Sequence, residues 1–414
     1  MRVELLTIGA ELLNGATVNS NAADLSRRLV RLGLRCARHV TVGDDRAELL
    51  GALTDALGRA DVILTTGGLG PTFDDVTMAT IAEATARPLT YDSSAAVQIR
   101  RFYTRRHRRL QRAALRQAYV PRGGVALPNP LGTAPGLWLP LPDRLLVALP
   151  GVPREMRVIF DRAVLPRLRR LRGLPAVAQL TLRTAGLVEL QIEQRLRRLR
   201  LPPAIEVGLY PHLQMVDVRL TVAADSAAAA RRILRKPAAR LTQALGANLY
   251  GEEDDTLEQV VGRLLAARRT TLGVAESCTG GLASHQLTNV PGSSRYLRGS
   301  LVAYHNDLKR GCLGVAAAAL QRYGAVSAQV AKAMAQGVRR LTGASLGLSI
   351  TGIAGPGGGT ARKPVGLVYA ALVDRRGTQT RMFRFSGDRT AIKIQAAQSA
   401  LDWLRRYLQG KDSL

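Results

Sequence analysis

Alternating apolar and polar runs over the first seventy residues predict a parallel α/β sheet. The runs VELLTIG, CARHVTVGD and DVILTTGG are typical of strands, and helical spacing over about 21–32 and 46–59 separates them. The order strand, helix, strand, helix, strand indicates parallel strands joined by crossover helices. Ligands bind such sheets beyond the carboxyl ends of the strands. The segments NGATVNSN, VGDD and GGLGPTFDD all fall there, so we predict a ligand site at this edge.

The pattern changes twice further along the chain. A strand, RLLVALPG, precedes a helix that begins at Pro153 and has Pro166 near its end. From Val177 the pattern is strand, helix, two alternating strands and a basic helix that we expect Pro237 to break or kink. The acidic stretch 251–255 is expected to be a linker or cap before a new helix, TLEQVVGRLLAARR, which another strand–helix series follows. The prediction is two three-layer α/β domains, at 1–172 and 252–414, joined by a small α+β module at 173–251.

The charge of the 414-residue chain favours anionic partners. It carries 59 Lys and Arg against 31 Asp and Glu, a formal net charge of +28. The segment 100–116 alone has eight Arg, and we favour a solvated amphipathic helix there over a nucleic-acid contact. Aromatic residues make up only 4% of the chain, which is poor for stacking single-stranded bases. Nucleotides and phosphates are therefore better candidate partners than nucleic acid.

Cysteine usage and hydropathy limit the class of protein. Cys36, Cys278 and Cys312 are widely spaced with no CxxC pair, which argues against a disulfide framework and a structural zinc site. Glu4 and Glu11 interrupt the first apolar run, so it is not typical of a signal peptide. No uninterrupted apolar run approaches the roughly 18 residues of a membrane span. We expect a cytoplasmic protein without a membrane partner.

The segment AESCTGG (275–281) holds the best candidate for nucleophilic chemistry. It follows a predicted strand, and a glycine turn before a helix lets N–H groups approach an anion closely. Ser277, Cys278 and Thr279 are possible nucleophiles, with Cys278 more typical of a small buried residue. A hydroxyl needs a base, and a phenolate at Tyr304, its pKa lowered by the Lys309 ammonium, could accept the proton. A structural Ser in a tight turn is an equally good interpretation.

Two further groups of residues each have two possible roles. The loop TGIAGPGGGTARKPVG (351–366) either crosses close to a ligand or makes turns, and no G-K-[ST] follows that would make it a Walker loop. Asp44, Asp45, Asp74 and Asp75 lie at predicted strand ends, where they suit a hard divalent ion or cap the following helices.

These motifs together resemble the CinA family (competence/damage-inducible protein A) over essentially the whole chain. The first domain carries IGAELLNGATVNSN, TTGGLGPTFDDVT, NPLGTAPG and LPGVPREM, similar to the family's molybdopterin-binding-like domain. The last carries AESCTGG, YHNDLK, GAVS, TGIAGPGGGTARKPVG and GDR, similar to its nicotinamide-nucleotide amidase domain. The middle module resembles the family's KH-type spacer, although it has no G-x-x-G loop of the kind that clamps nucleic acid.

The resemblance implies an enzyme that deamidates nicotinamide mononucleotide to nicotinate mononucleotide and ammonia, a step of pyridine nucleotide recycling. It implies Ser277 as nucleophile with Tyr304 and Lys309 as activating partners, and no cofactor for this reaction. The expected substrate contacts are Thr279, Gly280, Gly281, Gly352, Gly355 and, for the phosphate, Arg389. The chain has His305 where Ser is common, which places an imidazole beside Tyr304.

For the first domain the resemblance implies an ADP-ribose pyrophosphatase that uses a divalent metal (Mg, Mn or Co). Its expected metal ligands are Asp44 and Asp75. The expected ADP-ribose contacts are Asn21, Gly67, Gly68, Gly70, Thr72 and Asp74. The family typically forms homodimers. Two alternatives from other classes are a nucleic-acid-binding accessory protein of competence and a molybdopterin-binding module without catalysis.

Overall fold

The computed structural model describes residues 1–171 and 174–412. The chain forms two compact units, one made of 1–178 with 223–231 and the other of 179–222 with 232–414. No helix in the described ranges is long and apolar enough to cross a membrane. The α/β fold class expected from the sequence is confirmed.

The first unit is built on a six-stranded sheet. The strands of this unit are β1 (Val3–Ile8), β2 (Cys36–Val42), β3 (Val62–Thr66), β4 (Leu89–Tyr91), β5 (Tyr119–Pro121), β6 (Val125–Leu127), β7 (Gly136–Pro140) and β8 (Leu145–Leu149). Of these, β4 and β5 pair with each other in a separate two-stranded sheet. Its helices are α1 (Ala10–Leu13), α2 (Ser20–Val30), α3 (Arg46–Arg59), α4 (Thr77–Ala84), α5 (Ser93–Arg105), α6 (Pro153–Ile159) and α7 (Leu165–Leu168). The sheet order is β2-β1-β3-β8-β7-β6, and its first four strands are parallel.

Three of the four parallel strands, β1, β3 and β8, are buried along their whole length, which gives this sheet its three layers, while the edge strand β2 is largely exposed. Along β1, Leu5 packs into one apolar cluster, with Phe160. Leu6 and Ile8 pack into the other cluster, with Leu53. Successive side chains of a strand point to opposite faces, so a continuous apolar run fits a strand covered by helices on both sides. The three buried strands therefore present only their ends to ligands.

The middle module is an antiparallel sheet with two helices. Its elements are β9 (Ala176–Ala185), α8 (Glu189–Leu199), β10 (Glu206–His212), β11 (Met215–Ala224), α9 (Ala227–Leu245) and β12 (Leu249–Glu252). The sheet order is β10-β11-β9-β12.

The last domain holds a five-stranded sheet. Its elements are α10 (Leu257–Ala267), β13 (Leu272–Glu276), α11 (Leu282–Thr288), β14 (Leu297–Val302), α12 (Asn306–Gly311), α13 (Ala317–Tyr323), α14 (Ala328–Thr342), β15 (Leu346–Gly352), β16 (Leu367–Val373), β17 (Thr378–Arg384) and α15 (Arg389–Leu408). The order is β14-β13-β15-β16-β17, with β14, β13 and β15 parallel. The carboxyl ends of these three strands meet at one edge, where Ser277 follows β13.

The structure corrects two predicted elements. The Arg-rich segment 100–116 is not one helix, because α5 ends at Arg105 and a 3-10 turn occupies Arg112–Ala118. The acidic stretch 251–255 is not simply a linker, because β12 includes its first two residues and pairs with β9. Asp255 then precedes the capping box of α10, formed by Thr256 and Gln259.

Two prolines act differently from each other in the helices that contain them. The helix α9 continues through Pro237 rather than ending there, and it buries Leu234 and Leu241 on either side. Burial of this apolar face outweighs the one backbone hydrogen bond that proline cannot donate. Before Pro166 the chain instead widens into a π-helical turn at Phe160–Val164, which separates α6 from α7.

Candidate active site

The turn after β13 is held from within by a buried carboxylate. Glu276 has no exposed surface, and its Oε2 accepts hydrogen bonds from the N–H groups of Gly281 (3.0 Å) and Ala283 (3.2 Å). Its Oε1 accepts from Ser284, through the N–H at 2.8 Å and the hydroxyl at 2.5 Å. The carboxylate therefore satisfies N–H groups that the start of α11 leaves without helical partners. Sequence reasoning missed Glu276, because an acidic residue inside an apolar strand run carries no signal of its partner.

Two glycines let the chain reverse between β13 and α11. Gly280 and Gly281 have φ angles of +62° and +94°, a region that favours glycine. The Gly280 N–H donates to the Ser277 carbonyl at 3.1 Å, and the Gly281 N–H is held by Glu276. Both glycine N–H groups are thus engaged inside the turn. A ligand oxyanion would have to use the N–H groups of the other turn residues.

The three hydroxyl and thiol groups of this turn differ in environment. The Ser277 N–H donates to the Ile350 carbonyl at 2.9 Å, which fixes its backbone beside the end of β15, and its side chain is only slightly exposed. Cys278 is buried, and burial raises the pKa of its thiol to about 12. Thr279 is fully buried and its hydroxyl has no hydrogen-bond partner within the described residues. The side chain of Thr279 is inaccessible in this conformation, so its backbone N–H is the group through which the expected substrate contact, still a prediction, could be made.

Lys309 lies buried beside this turn. Its Nζ donates to the carbonyls of Ala303 (2.8 Å) and Tyr304 (3.1 Å), which follow β14. Burial lowers its pKa, and the nearby Cys278 thiol acts in the opposite direction. The lowered pKa means that Lys309 gives up its proton more readily than an exposed lysine does.

The phenol of Tyr304 is held by a different cation from the one expected. Arg389 donates through Nη2 to the phenol oxygen at 2.5 Å and through Nη1 to the Gly355 carbonyl at 2.6 Å. Lys309 touches only the backbone of Tyr304. The cation beside the phenol is therefore Arg389, and the sequence-based pairing of the Lys309 ammonium with the phenol is wrong. His305 is largely exposed and caps α12.

The glycines of the following loop differ in accessibility. Gly355 is buried and uses its carbonyl to hold Arg389. Gly352 ends β15, and a Cβ there would lie 2.6 Å from the Val368 side chain. Close packing of β15 against β16 explains this glycine without a ligand, so its predicted substrate contact stays untested.

A second cation reaches the glycine turn. Lys393 lies one helical turn after Arg389 on α15, and its Nζ is 3.5 Å from where a Cβ on Gly280 would stand. Lys393 forms no ion pair in the described part of the chain. Arg389 and Lys393 therefore place two positive charges on one helix face at this edge of the sheet. Spacing on a helix is a signal from which Lys393 could have been found.

The predicted site of the first domain lies where four parallel strands end. Gly67, after β3, has a φ of +115°, and a Cβ there would stand 2.1 Å from the Ile8 carbonyl, so only glycine fits. Asn21 donates to Thr66 (3.0 Å) and to the Gly151 carbonyl (2.7 Å), which connects α2 with the ends of β3 and β8. Its own Oδ1 is buried without a partner among the described residues. The start of α2 is thus in contact with the ends of β3 and β8 at this edge.

The aspartates here are engaged in backbone contacts. Asp75 accepts from the N–H groups of Gly70 (2.7 Å) and Thr72 (2.9 Å) and from the Thr72 hydroxyl. Asp44 accepts from the Ala10 N–H at 2.9 Å, while Asp74 is exposed. Within 1–171 and 174–412, no group of three or more His, Cys, Asp or Glu is placed to hold a metal ion. Carboxylate oxygens are ligands that a hard divalent ion prefers, and the expectation that Asp44 and Asp75 hold one stays a prediction.

Three further residues of the first domain differ in exposure and in their contacts. Phe73, in the loop after β3, is 90% exposed, next to the glycines of the predicted site. Gly68 is half-buried, and its neighbour Gly67 accepts a hydrogen bond from Thr77. Asn129 of NPLGTAPG donates to Glu155 (2.6 Å) and accepts from the Gly132 N–H (2.9 Å), which gives this motif a structural role.

Three family descriptions match consecutive parts of the chain. They are a probable molybdopterin binding domain at residues 4–170, the KH domain of damage-inducible protein CinA at 179–251, and the CinA C-terminal domain at 254–408.

Full-length relatives match the whole chain. A CinA-like protein of Geobacter metallireducens is 43% identical over 410 residues, covering 99% of each chain. A putative competence-damage inducible protein of Desulforudis audaxviator is 41% identical over 409 residues, again covering 99% of each. Among solved structures, the protein CinA with unknown function from Thermoplasma acidophilum is 34% identical with a TM-score of 0.38. It covers 40% of this chain and 97% of its own.

Proposed function

Because the chain belongs to the CinA family, we propose that its C-terminal domain hydrolyses the carboxamide of nicotinamide mononucleotide. The products are nicotinate mononucleotide and ammonia. The observation that carries this proposal is the convergence of Ser277, a buried Lys309 of lowered pKa and the cations Arg389 and Lys393 at one edge of the sheet. A nucleophile with a base serves amide cleavage, and two cations serve an anionic nucleotide.

Ser277 begins the reaction with an attack of its Oγ on the carboxamide carbon. The hydroxyl proton goes to a base as the C–O bond forms. Lys309 is a better candidate for this base than Tyr304, because burial lowers its pKa and so raises the share of its side chain that can accept a proton. The proton then passes to the leaving nitrogen, the C–N bond breaks and ammonia departs. Water hydrolyses the Ser277 ester to release the acid.

The N–H groups of the turn 277–281 stabilise the tetrahedral oxyanion. The N–H groups of Gly280 and Gly281 are already engaged, so the remaining candidates are those of Cys278 and Thr279. This assigns Cys278 a backbone role and no nucleophilic one, in line with its buried thiol. Glu276 positions the turn by holding the N–H groups at the start of α11.

The substrate phosphate is assigned to the two cations of α15. Arg389 keeps further N–H groups after its bonds to Tyr304 and Gly355, because a guanidinium has five donors. Lys393 adds an ammonium that is in no ion pair within the described residues. Tyr304, 57% exposed, presents its ring at the mouth of the site.

The test is to incubate the native chain with each substrate in the presence of EDTA, which removes divalent metal ions, and to identify the products. Nicotinamide mononucleotide should give ammonia and nicotinate mononucleotide in equal amounts, while nicotinamide riboside, which lacks the phosphate, should react far more slowly. Equal rates for the two substrates would contradict the assignment of Arg389 and Lys393 to the phosphate. Absence of ammonia release from both substrates would contradict the proposed amidase activity.

For the first domain we propose hydrolysis of the pyrophosphate of ADP-ribose to AMP and ribose 5-phosphate. The observation in favour is the set of loops that meet beyond β1, β2, β3 and β8, with the unpartnered Asn21 Oδ1 among them. A divalent ion held by Asp44 and Asp75 would supply Lewis-acid stabilisation to the phosphates. The substrate would contact the glycine loop 67–70, Thr72 and Asp74.

The test is AMP release from ADP-ribose with Mg²⁺, Mn²⁺ or Co²⁺. Asp44→Asn should lower the rate at least tenfold. Asp75→Asn also removes contacts within its loop, so Asp44 gives the cleaner result. Metal-independent release, or an unchanged rate in Asp44→Asn, would contradict the assignment.

A further inference from the structure

A cavity of about 650 Å³ lies in the first unit, between α5 and the turn 128–130 of the NPLGTAPG motif. One wall is the face of α5 opposite its buried side, since Ala96 and Ile99 pack into an apolar cluster while Val97 is 41% exposed. The cavity shares no lining residue with the Ser277 turn or with the glycine loop after β3. Its volume is typical of a small-molecule site, and neither proposed activity uses it.

The two walls of this cavity are fixed to each other by Gln98. Its Nε2 donates to the Asn129 carbonyl at 2.9 Å, and its Oε1 accepts from the Asn129 N–H at 3.1 Å. Asn129 is only 2% exposed, and its own amide donates to the Ala134 carbonyl and to Glu155. Both amides of the lining are therefore engaged within the protein. They give the cavity its shape before any ligand binds, which lowers the entropic cost of binding.

The charged groups of the lining are three guanidinium groups. They belong to Arg101, Arg105 and Arg106, which are exposed and form no ion pair in the described ranges. Arg101 and Arg105 are one helical turn apart on α5, where like charges lie side by side and repel each other. The guanidinium of Arg106 lies 4.4 Å from the centre of the Phe102 ring, and this contact orients it. An anion in the cavity would contact three accessible cations and relieve their repulsion.

The lining contains no carboxylate from the part of the chain that the structure describes. Two carboxylates contact lining residues from outside it. Asp92 accepts from the Ser94 hydroxyl and caps α5, and Glu155 accepts from Asn129 at 2.6 Å. The rest of the lining includes an apolar surface made of Val97, Phe102, Pro128 and Pro130. A ligand that fits both features has several negative charges at one end and an apolar, flat group at the other.

We propose that this cavity binds a nucleoside triphosphate, with its phosphates on Arg101, Arg105 and Arg106 and its base against the apolar surface. Guanidinium groups bind phosphate oxygens through paired N–H donors, and such charge-assisted hydrogen bonds are strong. The base would contact apolar side chains only, because the lining amides are engaged within the protein. Affinity should therefore depend on the number of phosphates and little on the identity of the base. The inference is independent of either proposed activity.

The test is an equilibrium titration of the full-length chain with ATP, GTP, AMP and adenosine, measured by calorimetry. EDTA is present, so that no divalent ion neutralises the phosphates or supports their hydrolysis. We expect saturable binding of ATP and GTP with similar affinities, AMP binding weaker by about tenfold or more because it has fewer phosphate contacts, and no binding of adenosine. Absence of saturable ATP binding, or AMP binding as tight as ATP binding, would overturn the proposal. A strong preference for one base would overturn the assignment of the base to the apolar surface.

Variants locate the site. Arg101→Gln combined with Arg105→Gln should weaken ATP binding by about tenfold or more, because two of the three phosphate contacts are lost. Arg231→Gln combined with Arg235→Gln is the matched control, since it removes the same charge from an exposed pair one turn apart on α9. The control should leave ATP binding nearly unchanged. Equal losses in the two double variants would show that net charge alone attracts ATP, and unchanged affinity in the first would place ATP elsewhere; either result would overturn the assignment.

An oligothymidylate distinguishes the nucleoside triphosphate from a nucleic-acid strand. We expect both double variants to bind it alike, because a strand would contact the basic surface of the chain as a whole. A loss of oligothymidylate binding confined to the variant at Arg101 and Arg105 would assign the cavity to nucleic acid and overturn the proposal.

Discussion

Arg389 holds the phenol oxygen of Tyr304 at 2.5 Å, although the two residues are 85 positions apart in the chain. The same guanidinium holds the Gly355 carbonyl, so one side chain connects the start of α15 with the loops after β14 and β15. With Arg389 engaged on two sides, Lys393 is the less restrained cation at this edge. Lys393 is therefore the better position at which to test a contact with the substrate phosphate.

Lys393→Gln should raise the KM for nicotinamide mononucleotide about tenfold with little change in kcat, because a phosphate contact acts equally on the bound substrate and the transition state. The rate with nicotinamide riboside should stay unchanged, since it has no phosphate. Lys411→Gln, a matched change at an exposed position, serves as the control. An equal loss with both substrates would show that Lys393 does not act through the phosphate.

Lys309 should make the chain's stability depend on pH. Its folded pKa lies below the ordinary 10.5, so between these two values the unfolded state binds more protons and stability rises with pH. The stability of the native chain relative to Lys309→Met should therefore increase as pH rises towards 10.5. Urea midpoints of both chains at several pH values measure this. A constant difference across the range would contradict a lowered pKa.

Cys278 should resist alkylation in the folded chain. Burial raises its thiol pKa to about 12, so almost no thiolate exists at pH 8, whereas Cys312 is exposed. Iodoacetamide followed by peptide mass spectrometry should show modification of Cys312 long before Cys278, and of both in urea. Rapid labelling of Cys278 in the native state would argue for an accessible, reactive thiol and against its structural role.

Glu276→Gln should destabilise the last domain by about 1–3 kcal/mol, because an amide places N–H donors against the N–H groups that the carboxylate now accepts. Glu193→Gln is the matched control, since Glu193 forms only an exposed i,i+4 pair with Arg197. Denaturation midpoints provide the comparison. If both variants shifted equally, the buried network would contribute no more than a surface ion pair.

Much of the fold could be predicted from the sequence, because buried parallel strands and amphipathic helices produce strong local patterns. The helix predicted over 46–59 matches α3 to the residue. Elements that depend on tertiary contacts were predicted less well. Glu252 joins β12 only because β9 offers a partner, and α9 passes Pro237 because its apolar face is buried.

The candidate site, like the fold, could be predicted from the sequence only in part. Strand ends predict where Ser277 and the glycine turn lie, since local pattern fixes those positions. The partners do not follow from local pattern. Arg389 contacts Tyr304, and Lys309 contacts backbone carbonyls, only because the fold brings these segments of the chain together. Burial of Thr279 likewise becomes visible only in the folded chain.

The most direct test of the account is ammonia release from nicotinamide mononucleotide by Ser277→Ala, measured beside Cys278→Ala and the native chain. We predict that Ser277→Ala loses at least a thousandfold in kcat, because the nucleophile is gone, while Cys278→Ala retains most of its activity. Undiminished release by a folded Ser277→Ala chain would contradict the assignment of Ser277 as the nucleophile.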